Sequence, residues 1–244
     1  MLMAENLAQS GLTTVPIGSA MVVLADATAS PGARTAEETV RSALPALAKV
    51  AGRALPVLYG EQRHTAVTFV YGQHGPLPAT AHRVGVCDAL ITGEPYVALA
   101  VVTADCLPVA LVGRDVAAMV HAGWRGLAAD ILGRVVRRLA LEFGTAPETL
   151  AAVIGVGVGP CHYPVGQEVI DALAGHPLAP CPWQEGDRVD LGAWAAARLL
   201  ALGVPAPAIL RIPGCTACSP SHASHRRDGT HARRQWSAVY LGEP

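Results

Sequence analysis

The most apolar stretch of the chain, residues 97–112, carries a charge near its middle, Asp105. A membrane span needs about 20 consecutive apolar residues. This stretch is interrupted well short of that, so it belongs inside a folded protein as shorter pieces. It divides into 98–103 and 108–112, and a third run, 116–121, follows after a tight link at 113–115. Each run is short and rich in β-branched residues, which predicts strands. The second and third are close enough to form a hairpin.

The rest of the chain alternates less simply. A strand is expected at 20–27 and a helix at 36–51, where Val40, Leu44, Leu47 and Val50 share one side. Thr35 suits the helix N-cap, with Glu38 as its capping-box partner, and Pro45 is expected to kink or split the helix. Further strands are expected at 64–71, 150–158 and 209–212. Further helices are expected at 124–143, with Leu127, Ile131, Val135, Leu139 and Phe143 on one face, and at 167–173 and 192–202. The fold class is therefore α/β with mixed order. Neither a repeat nor a long linker is visible, and 1–244 is expected to be a single domain.

Composition narrows the function. Hydrophobic residues make up 51% and charged residues 15%, enough apolar material for a large core. The net charge of −1 gives no reason to expect nucleic acid or an anionic membrane as partner. The N-terminus lacks a secretory pattern, and the six cysteines are irregularly spaced for a disulfide scaffold. Reduced thiols in a cytoplasm are expected. Cys215 and Cys218 have CxxC spacing, a weak sign of metal or redox chemistry that reads more simply as structural. GVGVG at 155–159 lacks phosphate-loop spacing and reads as a glycine-rich strand and turn.

Two segments carry chemistry. In Thr103-Ala104-Asp105-Cys106-Leu107-Pro108 an apolar strand runs into an acid and a thiol. In His121-Ala122-Gly123-Trp124-Arg125-Gly126 another strand delivers a histidine just before a helix, whose N-terminus beside Arg125 suits an anion. If the strands are neighbours, Cys106 and His121 share a sheet edge. Such a pair makes a nucleophilic thiolate or, with a third ligand, an open zinc site. His74, in Gln73-His74-Gly75, is an available third ligand.

TADCLPVAL followed by HAGWRG resembles the signature of the laccase-domain family. The likeness extends over roughly 64–240, through CDALIT at 87–92, VGPCHYPVGQEV at 158–169, GCT at 214–216 and SHRRDG at 224–229. The family is named for multicopper polyphenol oxidoreductases, and its members are regarded as zinc-dependent purine nucleoside phosphorylases with adenosine deaminase activity. The resemblance implies mixed β-sheets in a four-layer α/β/β/α arrangement, like that of a cytotoxic-necrotizing-factor toxin that works through a Cys–His pair. Carried over by position, the histidine of the family's QVHG motif falls on His74, its cysteine ligand on Cys106 and its second histidine on His121. Asp105, Cys106, His121 and Arg125 are then the expected catalytic set. Zinc is the expected cofactor, with copper as the other metal.

The expected substrates are phosphate and a purine nucleoside: adenosine, inosine, guanosine or methylthioadenosine. Zinc would acidify a water for attack at purine C6, while phosphate would attack ribose C1′. Asp105 would move protons or orient a ligand. Arg125 would hold phosphate, with Arg226 and Arg227 as a second anion site. Trp124 and Tyr163 are candidates for stacking on the base. A monomer or weak homodimer is expected. The sequence departs from the family at Gly72, which replaces the glutamine of QVHG, at Pro164 in YEVG, and at His222 and Ala223 before SHRRD. The N-terminal GGxS and NLG motifs are not recognisable. Three other readings stand: a Cys–His thiol hydrolase acting on an amide or amino acid derivative, a copper-dependent phenol oxidase, and an inactive divergent member.

Overall fold

A computed structural model describes residues 2–7, 10–72 and 77–243. Two large mixed sheets carry the fold, in line with the α/β class. One has seven strands, in spatial order Glu5–Leu7, Leu12–Ile17, Ala20–Ala25, Gln235–Leu241, Ala98–Thr103, Val57–Glu61 and Ala81–Val86. The other has six, in the order Ile209–Arg211, Ala151–Ile154, Leu107–Val112, Ala117–Ala122, Ala89–Thr92 and Thr68–Tyr71. Leu107–Val112 and Ala117–Ala122 form the anticipated antiparallel hairpin.

Three apolar cores explain why the central runs show no alternation. Leu58, Leu99, Val101 and Val239 of the seven-stranded sheet meet Leu90, Ala110, Met119 and Val153 of the six-stranded one. On the far side of the first sheet, Val23, Val57, Ala100 and Trp236 pack with Val40, Ala43 and Leu47 of helix Ala36–Ala51. On the far side of the second, Val109, Leu111, Ala118 and Val120 pack with Ile131, Val135, Leu139, Trp194 and Leu199. Ala98–Thr103, Leu107–Val112 and Ala117–Ala122 are buried at every position. A strand covered on both faces has no need of polar residues on one of them.

Local signals were reliable where the cause was local. Helix Ala36–Ala51 begins at the Thr35–Glu38 capping box and continues through Pro45 without splitting. Elsewhere the structure corrects the expectation. The 124–143 segment is two helices, Trp124–Ala128 and Ile131–Phe143. Asp130 separates them with a left-handed φ of 59°, and its carboxylate caps Gly133 N at 3.3 Å and holds Arg198 at 2.9 Å. The strand expected at 64–71 begins only at Thr68, leaving 64–67 as a loop. Val57–Glu61, Ala81–Val86, Ala89–Thr92 and Gln235–Leu241 were not anticipated as strands. Among the described residues, no helix is long and apolar enough to cross a membrane.

The connections between the sheets position the site. Val57–Glu61, Ala81–Val86 and Ala98–Thr103 are parallel neighbours in the first sheet. Each is followed directly by a strand of the second sheet: Thr68–Tyr71, Ala89–Thr92 and Leu107–Val112 respectively. Three short crossings therefore leave the same end of the first sheet. They carry His64, Asp88 and Cys106.

Candidate active site

Register brings Cys106 and His121 together. His121 pairs with Pro108 and Ala122 with Leu107 at the end of the antiparallel hairpin, so the register continues with Gly123 opposite Cys106, and His121, two residues from Gly123, is the diagonal neighbour of Cys106 on the same face. Gly123, which follows, makes the close approach possible. A Cβ at that position would lie 2.9 Å from Cys106 Sγ and 2.9 Å from His64 Cδ2.

The third side chain is His64. One ligand atom each from His64, Cys106 and His121 lie within 4.8 Å of one another. His64 Nε2 is 3.7 Å from Cys106 Sγ, and the two imidazoles meet edge-on with centroids 4.9 Å apart. A tetrahedral zinc with bonds of about 2.3 Å to sulfur and 2.0–2.1 Å to nitrogen separates those atoms by about 3.6 Å. The donor set therefore fits zinc with an open position. His74 lies outside the described residues. His64 also stands in a Gln-x-His sequence, Gln62-Arg63-His64, so the family's QVHG spacing has a second match that keeps the glutamine assigned above to Gly72. The Gln62 side chain donates to Val102 O at 2.7 Å and accepts from Val102 N at 2.8 Å, completing the edge of the strand that leads to Cys106.

Asp88, which the sequence reading did not single out, organises both histidines. It is fully buried. Its carboxylate accepts from His121 Nδ1 at 2.9 Å, from the backbone N–H of Arg63, His64 and Thr65, and from the Thr65 hydroxyl at 2.7 Å. Its carbonyl also accepts from His121 N at 2.7 Å. One acid thus fixes the His64 loop and occupies Nδ1 of His121, leaving Nε2 to face Cys106, the usual arrangement behind a metal-bound imidazole. The motif CDALIT was visible as a resemblance, but the partners of its aspartate lie 23 to 33 residues away.

Electrostatics follow from this packing. Burial alone would raise the Asp88 carboxyl, but the bonds from His121 and Thr65 outweigh it and hold the group at about 2. Burial also disfavours the Cys106 thiolate, yet His121 and His64 bring the thiol down to about 6. His121 is opposed by burial and carried up to about 9 by Cys106 and Asp88. The two shifts share one cause, the attraction between the Cys106 thiolate and the His121 imidazolium, which favours the charged form of both groups.

Asp105, expected to move protons or orient a ligand, has its carboxylate bonded to the GCT and SHRRD segments. It is buried with a φ of 87°, and its carboxylate accepts from Thr216 Oγ1 at 2.5 Å and from Arg226 N at 2.6 Å. It ties the GCT and SHRRD segments to the strand end. His64, Cys106 and His121 line an open cleft of about 870 Å³. Five arginines also line it: Arg63, Arg83, Arg125, Arg226 and Arg234. Glu61 pairs with Arg63 and Arg83. Arg125 stacks on Trp124 at 4.3 Å and Arg226 on Tyr163 at 4.6 Å. Arg227 is committed elsewhere, to Asp228 and to the carbonyls of Thr216, Ser219 and His222.

This fold and its Cys–His site define a class. Residues 17–242 match the family described as multi-copper polyphenol oxidoreductase laccase, and the chain belongs to that family. Its relatives point more narrowly. The chain is 38% identical over 156 residues to the purine nucleoside phosphorylase YlmD of Geobacillus stearothermophilus, covering 60% of this chain and 57% of that protein. It is 41% identical over 160 residues to a purine nucleoside phosphorylase of Xylella fastidiosa, covering 61% and 60%. The matched stretch thus spans about three fifths of these relatives' length. The crystal structure of YlmD superposes with a TM-score of 0.83 at 28% identity over the whole of both chains. The YfiH protein of Bacillus licheniformis shares the fold, with a TM-score of 0.85 at 24% identity over 97% of this chain and 98% of that one.

Proposed function

We propose that this chain is a zinc-dependent purine nucleoside phosphorylase that also deaminates adenosine, with His64, Cys106 and His121 as the zinc ligands. The observation that carries the proposal is the convergence of those three side chains, backed by Asp88, in a cleft rich in arginine. The relatives' names supply the substrate class. The three cores are read here as the helix, sheet, sheet, helix layering implied by the family resemblance.

A zinc ion held there supplies Lewis acidity and can bring the pKa of a water down to about 7, the chemistry needed for deamination at purine C6. The chain's own residues do the rest. Arg125 and Arg226 bind the phosphate through planar guanidinium forks, oriented in advance by Trp124 and Tyr163. In phosphorolysis a phosphate oxygen attacks ribose C1′, and the electrons of the C1′–N9 bond leave with the purine. Holding phosphate against C1′ converts a bimolecular encounter into a positioned one. Asp105 keeps Arg226 at the cleft through its backbone N–H.

The test is metal analysis of the purified protein together with an adenosine and phosphate assay that separates adenine, ribose 1-phosphate and inosine. About one zinc at this site, with products lost in Cys106→Ala and His121→Ala, supports the proposal. Zinc without turnover of any purine nucleoside sinks the substrate assignment. Copper with phenol oxidation would return the site to the chemistry of the family's name.

A further inference from the structure

A second cluster of metal-binding side chains lies outside the cleft. Cys161 and His162 sit in the short 3-10 turn Pro160–His162, and Cys215 and Cys218 in the GCTAC segment. One ligand atom from each of the four lies within 4.8 Å of the others. Cys161 and Cys218 sulfurs are 3.5 Å apart. His162 Nδ1 is 3.3 Å from Cys161 Sγ, 3.4 Å from Cys218 Sγ and 3.8 Å from Cys215 Sγ.

These separations are the edges of a metal tetrahedron. Zinc bonds of about 2.3 Å to sulfur and 2.0–2.1 Å to nitrogen place sulfurs about 3.8 Å apart, and sulfur and nitrogen about 3.6 Å apart. A disulfide needs about 2.05 Å, and all four atoms converge rather than one pair. The backbone supports the same reading. Cys218 N and Ser219 N both donate to Cys215 O, a turn that presents the two CxxC thiols to one side. Gly159 N donates to Cys215 Sγ at 3.1 Å, a bond that favours a thiolate at a metal.

We propose that Cys161, His162, Cys215 and Cys218 form a closed structural zinc site, separate from the His64–Cys106–His121 site. Four protein ligands leave no open position, so the ion is structural. It clamps two loops 57 residues apart in sequence. Both loops support the cleft from behind. Thr216 donates to the Asp105 carboxylate and Val158 N to the Asp105 carbonyl, while Val158 and Tyr163 line the cleft itself.

The experiment uses the full chain, grown with zinc and purified without chelator. Elemental analysis is run on wild type, Cys106→Ser, and Cys106→Ser with Cys218→Ser. About two, one and zero zinc equivalents are expected. Cobalt loaded into Cys106→Ser should show the thiolate charge-transfer band of a tetrahedral site, absent from the double variant. Cys161 and Cys218 are exposed, so Cys161→Ser with Cys218→Ser in the otherwise intact chain should fold and lose one equivalent. Metal-free Cys106→Ser, unchanged zinc on loss of Cys218, or a Cys161–Cys218 disulfide in freshly purified protein by mass spectrometry would each overturn the proposal. Because Cys106→Ser removes only the cleft's ligand, this outcome is independent of whether the protein acts on nucleosides.

Discussion

Asp88 and His121 meet at 2.9 Å, carboxylate to Nδ1, with both side chains withdrawn from solvent. The contact sets the tautomer of His121 while the same carboxylate holds the loop bearing His64, the two histidines proposed as zinc ligands. Asp88→Asn keeps the shape but removes the charge and places two donors where only acceptors fit. Zinc affinity at the cleft is expected to fall about 10–100-fold. A chelator competition series on wild type and variant measures it, and equal affinities would remove Asp88 from the site's architecture.

His64 and His74 make opposite predictions. Under the proposed ligand set, His64→Ala should abolish zinc binding in the cleft and nucleoside turnover, whereas His74→Ala should keep the metal. Elemental analysis of the two variants in a Cys218→Ser background, where the second cluster is disabled, decides between them. Loss of zinc only in His74→Ala would restore the assignment read from the sequence.

Cys106 should titrate low in metal-free protein. With the thiol held at about 6, the thiolate predominates at neutral pH, and its fraction falls about tenfold per pH unit below that value. Alkylation of Cys106 in chelated protein, followed by peptide mass spectrometry from pH 4 to 9, should level off above about 7. Zinc should protect the residue, and the chelated, unalkylated protein should be inactive. Full activity in chelator with loss on alkylation would instead favour the thiol hydrolase.

Asp130 is expected to carry pH-dependent stability. Arg198, almost wholly buried, and Arg137 hold its carboxyl below the ordinary value against the opposing effect of burial. A carboxyl lowered in the folded state stabilises fully above its unfolded value of about 4, and that contribution disappears as pH falls through the folded value. Asp130→Asn tolerates the left-handed backbone but leaves Arg198 without its counter-charge. A loss of about 2–3 kcal/mol at pH 7 is expected, shrinking towards acid. Urea unfolding of both proteins at pH 7 and pH 3 checks this, and a difference independent of pH would contradict it.

The chain by itself determined what depends on neighbours in sequence. Thr35 and Glu38 start a helix because a capping box closes over three residues. The runs that lead to Cys106 and His121 form strands because they are short, apolar and bounded by turns, and the two candidate residues were legible at their ends. Only the tertiary structure decided the rest. His64 read as the first residue of a strand, but it lies on a crossing between sheets, where backbone N–H groups of the loop bond to the buried Asp88 carboxylate. Gln235–Leu241, near the C-terminus, inserts between Ala20–Ala25 and Ala98–Thr103. Asp105, conspicuous in sequence, is taken up by Thr216, 111 residues away. Cys161 and Cys218 become neighbours only when two distant loops pack. Local propensity is carried by adjacent residues, but a buried charge or a ligand set is completed by whichever distant group the packing of the sheets brings within bonding range.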